Sequence, residues 1–241
     1  MNIKKHIPNI ITLLNLFCGC IAVIFVSKLD FEKAFLFVAL GIFLDFFDGF
    51  FARLFKVSSP LGLQLDSLAD MVTSGVVPGY VMFQMFQGME YDPEIISIYS
   101  IFGFIITLGA CYRLANFNID TRQTNSFIGL PTPANALFIL SLPLISNTFL
   151  NDDFTEILYN KWVLVSITLI SAYIMNAEIP LFSLKIKSFS LKDNLLQIVF
   201  LTISVALIGF FQFFGVAIVI LFYVLLSVLM NGFNKKQESN L

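Results

Sequence analysis

The chain has 241 residues, of which 58% are hydrophobic and only 12% are charged, whereas about 25% of the residues of a typical soluble domain are charged. This composition excludes an ordinary water-soluble domain, and the formal net charge of −2 gives no indication of a nucleic-acid partner. The sequence therefore predicts an all-α fold, a polytopic integral membrane bundle of about eight transmembrane helices.

The predicted spans follow the apolar runs, since a helix needs about 20 apolar residues to cross a bilayer. In chain order, the runs cover residues 7–26, 34–51, 63–87, 95–115, 134–150 and 162–177. A last apolar block, residues 195–230, is long enough for a hairpin of two shorter helices bent around Gln212 and Gly215. We expect residues 1–241 to form a single membrane domain.

The positions of the Lys and Arg residues predict how these spans are oriented. With eight spans, all but three of the 14 Lys and Arg residues lie on the same side as the two termini. The exceptions are Lys28, Lys33 and Lys161, and a seven-span count would add Lys235 and Lys236 to them. Because cytoplasmic loops are enriched in Lys and Arg, we expect eight spans in the cytoplasmic (inner) membrane, with both termini in the cytoplasm.

The most acidic stretch within the apolar runs covers residues 45–70 and reads DFFDGFFARLFKVSSPLGLQLDSLAD. Asp45 and Asp48 are three residues apart and Asp66 and Asp70 are four apart, so each pair shares one face of a helix. A turn around residues 58–62 would bring the two pairs together. Four carboxylates in one pocket repel each other unless a cation neutralises them, and such oxygen ligands select Mg²⁺, Mn²⁺ or Ca²⁺. Two such cations would clamp a phosphate or pyrophosphate group.

Small and basic residues in the same stretch suit a phosphate-containing ligand. Gly49 and Ala52 remove bulk beside Asp48, and Gly62 opens the facing helix. Arg53 follows at the cytoplasmic rim, where it can pair with phosphate. Paired intramembrane carboxylates also line ion pathways in cation-coupled transporters, which are the alternative class of protein. Transporters commonly have two related halves, whereas the acids here are confined to one hairpin.

The spacing D-x2-D-G-x2-A-R-x8-G-x3-D-x3-D resembles, without a departure, the signature of the CDP-alcohol phosphotransferase family. The resemblance implies a membrane enzyme that binds a CDP-linked lipid and two divalent cations, Mg²⁺ or Mn²⁺. An acceptor alcohol attacks the β-phosphate of the lipid and CMP leaves. By resemblance, the metal ligands are Asp45, Asp48, Asp66 and Asp70, and Asp70 is also the catalytic base for the acceptor hydroxyl. The residues that would contact the CDP moiety are Gly49, Ala52, Arg53 and Gly62.

Two further stretches indicate the acceptor alcohol. Residues 8–19 read PNIITLLNLFCG, and residues 110–136 read ACYRLANFNIDTRQTNSFIGLPTPANA. Both resemble the serine-using branch of the family, the membrane-type phosphatidylserine synthases (CDP-diacylglycerol–serine O-phosphatidyltransferases). A guanidinium can hold the serine carboxylate bidentately, and amide oxygens can accept hydrogen bonds from its ammonium group. The candidate serine-binding residues are Arg113, Asn116, Asn118 and Arg122.

Some of these polar residues have an alternative role. Thr12 and Asn15 lie near the cytoplasmic end of the first predicted span, where they are candidates for binding the CDP-lipid. Their alternative role is an interhelical hydrogen bond, which is common among polar residues of membrane helices. Arg113 and Arg122 have the alternative of anchoring a helix end near anionic headgroups.

The predicted reaction is transfer of the phosphatidyl group from CDP-diacylglycerol to the hydroxyl of L-serine, which gives phosphatidylserine and CMP. We expect residues 7–177 to form the catalytic core, with its active site facing the cytoplasm, and residues 195–230 to add a C-terminal helical hairpin. The family resemblance also implies a homodimer. The alternatives are the same chemistry with glycerol 3-phosphate, inositol, inositol phosphate or choline as acceptor, and the cation-coupled transporter.

Overall fold

The computed structural model describes residues 6–57, 59–90, 92, 95–120, 128–147, 152–182 and 194–238. Apart from one isolated bridge between Ile128 and Pro180, the regular secondary structure of these residues is helical. The helices are α1 (Ile7–Ser27), α2 (Phe31–Phe55), α3 (Pro60–Asp70), α4 (Val77–Gln87), α5 (Ile98–Phe102), α6 (Ile105–Ile119), α7 (Thr132–Ser141), α8 (Asp152–Leu158), α9 (Lys161–Asn176) and α10 (Leu195–Glu238). A π-helical turn, Met71–Val76, joins α3 to α4, and a 3₁₀ turn, Leu142–Asn147, follows α7. For the described residues, the predicted all-α fold is confirmed.

Several helices of this bundle are suited to a lipid environment. Four stretches are long and apolar enough to cross a membrane: Ile7–Ser27, Phe31–Phe55, Ile98–Ile119 and Leu195–Asn231. Two shorter apolar helices cover Thr132–Ile145 and Lys161–Asn176. Large apolar side chains such as those of Phe17, Phe43 and Phe46 are exposed on these helices. Soluble monomers rarely expose apolar surface on this scale, so the chain is a membrane protein.

The helices overlap the predicted spans but differ from them at their ends. The predicted span 95–115 consists of two helices, α5 and α6, and α6 continues to Ile119. Arg113, Asn116 and Asn118 are therefore all helical. Hydropathy detects only the apolar part of a helix, whereas the backbone hydrogen bonds continue through the polar residues that follow it.

A tight connection joins α2 to α3. Helix α2 ends at Phe55 because Lys56 adopts a left-handed backbone conformation, with φ of 53°. Helix α3 begins at Pro60, whose fixed φ suits the first helical turn. Ser59 caps this helix, since its hydroxyl accepts a hydrogen bond of 3.0 Å from the Gly62 N–H. Helix α1 packs against both α2 and α3, so these three helices together surround the acidic side chains.

The connection between α1 and α2 lies at the opposite end of the bundle. The Asp30 carboxylate caps α2 by accepting from the Lys33 N–H at 3.1 Å, and it also pairs with the Lys33 Nζ at 2.6 Å. These hydrogen bonds to Lys33 hold the pKa of the Asp30 carboxyl below its usual value. The apolar core begins at this end, and its buried members include Ala22, Val26, Val38, Val81, Met82, Ile139 and Leu140.

Helix α10 folds back on itself. Its backbone breaks at Gln212, with φ of 49° and ψ of −123°, at the predicted bend. The Phe200 and Tyr223 rings lie 5.7 Å apart, although a straight helix would separate residues 23 positions apart by about 34 Å. The two halves of α10 therefore run antiparallel. The second half contacts the rest of the bundle through its Tyr223 hydroxyl, which donates to the Phe182 carbonyl at 3.0 Å.

Candidate active site

Three aspartates converge between α2 and α3. Asp45 and Asp48 come from the second half of α2 and Asp66 comes from α3, and one carboxylate oxygen of each lies within 4.8 Å of those of the other two. Asp48 is buried, whereas Asp45 and Asp66 are half-buried. The Asp45 Oδ1 is buried without a hydrogen-bond partner. Because converging, partly desolvated carboxylates need a neutralising charge, this donor set fits a hard divalent cation.

Asp70 lies one helical turn beyond Asp66 and has a different partner. Its side chain is buried, and its Oδ1 accepts a hydrogen bond of 3.1 Å from the Asn15 Nδ2. The carboxylates of Asp45, Asp48 and Asp66 converge, and Asp70 lies close enough to interact electrostatically with all three while it accepts its hydrogen bond from α1. The acidic hairpin therefore presents a cluster of three carboxylates and, beside it, a fourth that is hydrogen-bonded to α1.

Helix α1 contributes the polar partners of two of these aspartates. The Thr12 hydroxyl lies 2.5 Å from the Asp48 Oδ2 and 3.1 Å from the Pro8 carbonyl. Thr12 is 3% exposed and Asn15 is 0% exposed. The sequence left two roles open for this pair, and the structure gives both residues interhelical hydrogen bonds. The sequence analysis did not identify Asp48 and Asp70 as their partners, although the three-residue spacing of Thr12 and Asn15 indicates that they share a helix face.

The remaining residues of the acidic motif line the open end of the cluster. Arg53 is exposed and its side chain lies along Gly49, since a Cβ added to Gly49 would be 3.3 Å from the Arg53 Nη1. Gly62 lies at the start of α3, where an added Cβ would be 3.3 Å from the Asn9 Oδ1. Ala52 is half-buried on α2. Asn9 is a neighbour of the site that the sequence analysis missed.

A buried guanidinium lies on α6. Arg113 is 5% exposed, and its Nη2 donates to the Gly129 carbonyl at 3.3 Å. Its Nε is buried without a hydrogen-bond partner. No ion pair within 4.0 Å joins this guanidinium to a carboxylate among the described residues, and Asp120 contributes to its electrostatics. Buried arginines are normally paired, so Arg113 has capacity to bind an anion.

The same helix connects this arginine to the acidic hairpin. The Asn118 Nδ2 donates to the Ser67 hydroxyl at 2.8 Å, next to Asp66 in the chain. Among the described residues, the buried Asn118 Oδ1 has no hydrogen-bond partner. The Asn116 side chain is exposed. Arg122, the fourth candidate for serine binding, lies outside the described residues.

Comparison with known proteins defines the class of this site. A family model described as CDP-alcohol phosphatidyltransferase matches residues 5–181, which include the acidic hairpin and the Arg113 segment. The chain belongs to this family of enzymes, as the acidic spacing predicted. The match ends before α10.

The relatives of the chain carry one particular name. It is 31% identical to a CDP-diacylglycerol–serine O-phosphatidyltransferase of Helicobacter pylori over 200 residues, which cover 81% of this chain and 80% of that protein. It is 35% identical to an enzyme of the same name from Bacillus subtilis over 151 residues, which cover 61% of this chain and 80% of that one. A third relative of that name, from Methanocaldococcus jannaschii, is 32% identical over 152 residues, covering 63% of this chain and 67% of its own length.

Proposed function

We propose that the protein transfers the phosphatidyl group of CDP-diacylglycerol to the hydroxyl of L-serine, which gives phosphatidylserine and CMP. The observation that carries the choice of serine is the buried Arg113 guanidinium, which lacks a carboxylate partner within 4.0 Å among the described residues. The printed names of the relatives support the same acceptor.

The argument from Arg113 is one of charge. An unpaired buried ion costs several kcal/mol, and a carboxylate ligand offsets this cost when it forms hydrogen bonds to the guanidinium. Serine has a carboxylate for the Arg113 Nε and an ammonium group for the Asn118 Oδ1, both of which are buried without a hydrogen-bond partner among the described residues. Glycerol 3-phosphate, inositol and choline each lack one or both of these groups. Asn116 and Arg122 complete the set of residues that we assign to serine.

Asp45, Asp48 and Asp66, together with Asp70, are the residues that would hold two divalent cations, Mg²⁺ or Mn²⁺. When bound, such cations neutralise a pyrophosphate and stabilise the departing CMP. In the family assignment, the CDP head lies against Gly49, Ala52, Arg53 and Gly62. The positive charge of Arg53 suits the phosphates.

Asp70 is the proposed base. As the serine oxygen attacks the β-phosphorus, the hydroxyl proton passes to the Asp70 carboxylate and the bond to the oxygen of CMP breaks. The Asp70 Oδ1 accepts a hydrogen bond from the Asn15 amide, so Oδ2 is the oxygen that we assign to accept the hydroxyl proton of serine. Asn118 lies against Ser67, three residues before Asp70, so the assigned serine site adjoins the helix that carries the base.

The remaining parts of the proposal concern the setting of this site. We propose eight spans in the cytoplasmic membrane, with both termini and the active site on the cytoplasmic side. This is supported by the distribution of Lys and Arg and by the position of the acidic and Arg113 segments at one end of the bundle. Residues 7–177 form the proposed catalytic core, and residues 195–230 form an additional helical hairpin. A homodimer is proposed from the family resemblance alone.

The test is CMP release by the purified protein in detergent, with CDP-diacylglycerol, Mg²⁺ or Mn²⁺, and a single acceptor in each reaction. We expect release that depends on serine and disappears with EDTA and in Asp70→Asn. Asp30→Asn is the matched control, because it makes the same substitution at the opposite end of the bundle and keeps a capping side chain. Release only with another alcohol would refute the serine assignment, and no release with any acceptor from folded protein would refute the reaction.

A further inference from the structure

The two buried polar residues of α1 bind different aspartates. The Thr12 hydroxyl is 2.5 Å from the Asp48 Oδ2, and the Asn15 Nδ2 is 3.1 Å from the Asp70 Oδ1. Thr12 and Asn15 are three residues apart, so both lie on the helix face that contacts α2 and α3. In the family assignment, the contacts to the CDP-lipid come from the acidic hairpin. The Thr12 and Asn15 side chains instead form hydrogen bonds to carboxylates of that hairpin.

Asn15 is itself held in one orientation. The Thr73 hydroxyl donates to the Asn15 backbone carbonyl at 3.2 Å, which ties α1 to the π-helical turn after Asp70. The Asn15 Oδ1 lies against Gly41, where an added Cβ would be only 2.8 Å from it. The amide nitrogen faces the Asp70 carboxylate because a carbonyl oxygen in that position would be repelled. Asn15 therefore acts as a fixed hydrogen-bond donor to Asp70.

The two aspartates held by α1 belong to different parts of the site. Asp48 is one of the three converging carboxylates, whereas Asp70 lies beside them, accepts a hydrogen bond from Asn15 and is the proposed base. We infer that Thr12 and Asn15 are positioning residues with separable effects. Thr12 orients Asp48 for the divalent cation, and Asn15 orients Asp70 for the proton of the acceptor hydroxyl. This inference rests on the proposed function.

The two residues should affect different measurements. Partners that hydrogen-bond metal-ligating side chains typically contribute about 10–100-fold to metal affinity, so Thr12→Val should weaken Mn²⁺ binding by about tenfold or more. Thr12→Ser keeps the hydroxyl and should restore binding. A hydrogen bond to a charged group is worth about 1.5–3 kcal/mol, which corresponds to at least about tenfold. Because Asp70 is the proposed base as well as a metal ligand, Asn15→Leu should lower kcat by about tenfold even at saturating Mn²⁺, with the serine KM within about twofold of wild type.

The experiment combines a binding and a kinetic measurement on the full-length protein in detergent. Binding is followed by the loss of the electron paramagnetic resonance signal of free aqueous Mn²⁺, and turnover by CMP release. Thr168→Val is the matched control, because Thr168 is 0% exposed and bonds the carbonyl four residues earlier, as Thr12 does, but has no carboxylate partner. Thermal unfolding identifies variants that fold, and Asn15→Ala replaces Asn15→Leu if the latter does not.

The outcomes separate this inference from the function on which it rests. Weaker Mn²⁺ binding in Thr12→Val with near-wild-type turnover once Mn²⁺ saturates, together with slower turnover at saturating Mn²⁺ in the Asn15 variant, would support it. Wild-type affinity in Thr12→Val, wild-type kcat at saturating Mn²⁺ in the Asn15 variant, or the same loss of kcat at saturating Mn²⁺ in both variants would overturn it while wild type still binds Mn²⁺ and releases CMP. Absence of Mn²⁺ binding by the wild-type protein would overturn the proposed metal site, and the inference with it.

Discussion

Gly41→Ala tests the contact between α1 and α2 that supports the candidate active site. Gly41 is buried on α2, one turn before Asp45. An added Cβ would lie 2.8 Å from the Asn15 Oδ1, 2.9 Å from the Thr73 Cγ2 and 3.4 Å from the Cys18 Cβ. Nonbonded carbon atoms prefer about 3.5–4.0 Å. The extra methyl group therefore requires α1 or Thr73 to move by about 0.6–1.1 Å.

The expected magnitude combines two opposing terms. Overpacking of a close-packed interior lowers the free energy of unfolding by about 1–3 kcal/mol. The higher helix propensity of alanine over glycine raises it by up to about 1 kcal/mol. We expect Gly41→Ala to lower the free energy of unfolding by about 1–2 kcal/mol. Because the displaced group is Asn15, its hydrogen bond to Asp70 should weaken as well. Loss of a bond worth about 1.5–3 kcal/mol should reduce kcat by at least about tenfold.

Gly209→Ala is the control for this measurement. Gly209 is a helical glycine of α10 whose added Cβ would meet, within 4 Å, no described atom beyond its own stretch of helix, so the same change should be neutral or slightly stabilising. Thermal unfolding in detergent and steady-state CMP release would be measured for both variants. For a chain of this size, 1 kcal/mol corresponds to about 2–4 °C in Tm. A Gly41→Ala protein with wild-type Tm and wild-type kcat would refute the reasoning.

Three further predictions concern the rest of the molecule. Arg113→Ala should raise the KM for serine at least about tenfold, because a charged hydrogen bond is lost, and should leave the KM for CDP-diacylglycerol nearly unchanged. Steady-state CMP release measures both constants. An unchanged serine KM would contradict the assignment of Arg113 to serine. Gly129→Ala should lower Tm, because Gly129 has a φ of 74° and an added Cβ would lie 2.4 Å from the Met175 carbonyl oxygen. The left-handed backbone alone costs about 1–2 kcal/mol even if the contact relaxes, so an unchanged Tm would contradict this prediction. The pKa of Asp30 is lowered by its hydrogen bonds to Lys33, so its stabilising effect is present above the unfolded-state pKa and is lost as the pH falls through the native pKa. Wild type should therefore unfold at a higher temperature than Asp30→Asn near neutral pH, with the difference disappearing in acid, and a difference that does not vary with pH would contradict this.

Much of the architecture follows from local features of the sequence. The apolar runs alone predict membrane helices, since lipid leaves no other way to satisfy the backbone within one segment. The spacing of Asp45 and Asp48, and of Asp66 and Asp70, predicts two carboxylates on one face of each helix. Lys56, Ser59 and Pro60 produce the turn between these helices through local backbone geometry. The bend of the last helix at Gln212 could also be read from the sequence, because the apolar block was too long for one span.

The tertiary structure decided which polar groups meet. The Thr12–Asp48 and Asn15–Asp70 hydrogen bonds join residues 36 and 55 positions apart, so no local pattern could reveal them. The same applies to Arg113, which donates to the Gly129 carbonyl 16 positions along the chain. Periodicity determines the face of a helix on which a side chain lies. Which other helix contacts that face depends on how the helices pack. Packing is determined by side-chain volumes across the whole bundle rather than by any single stretch of sequence.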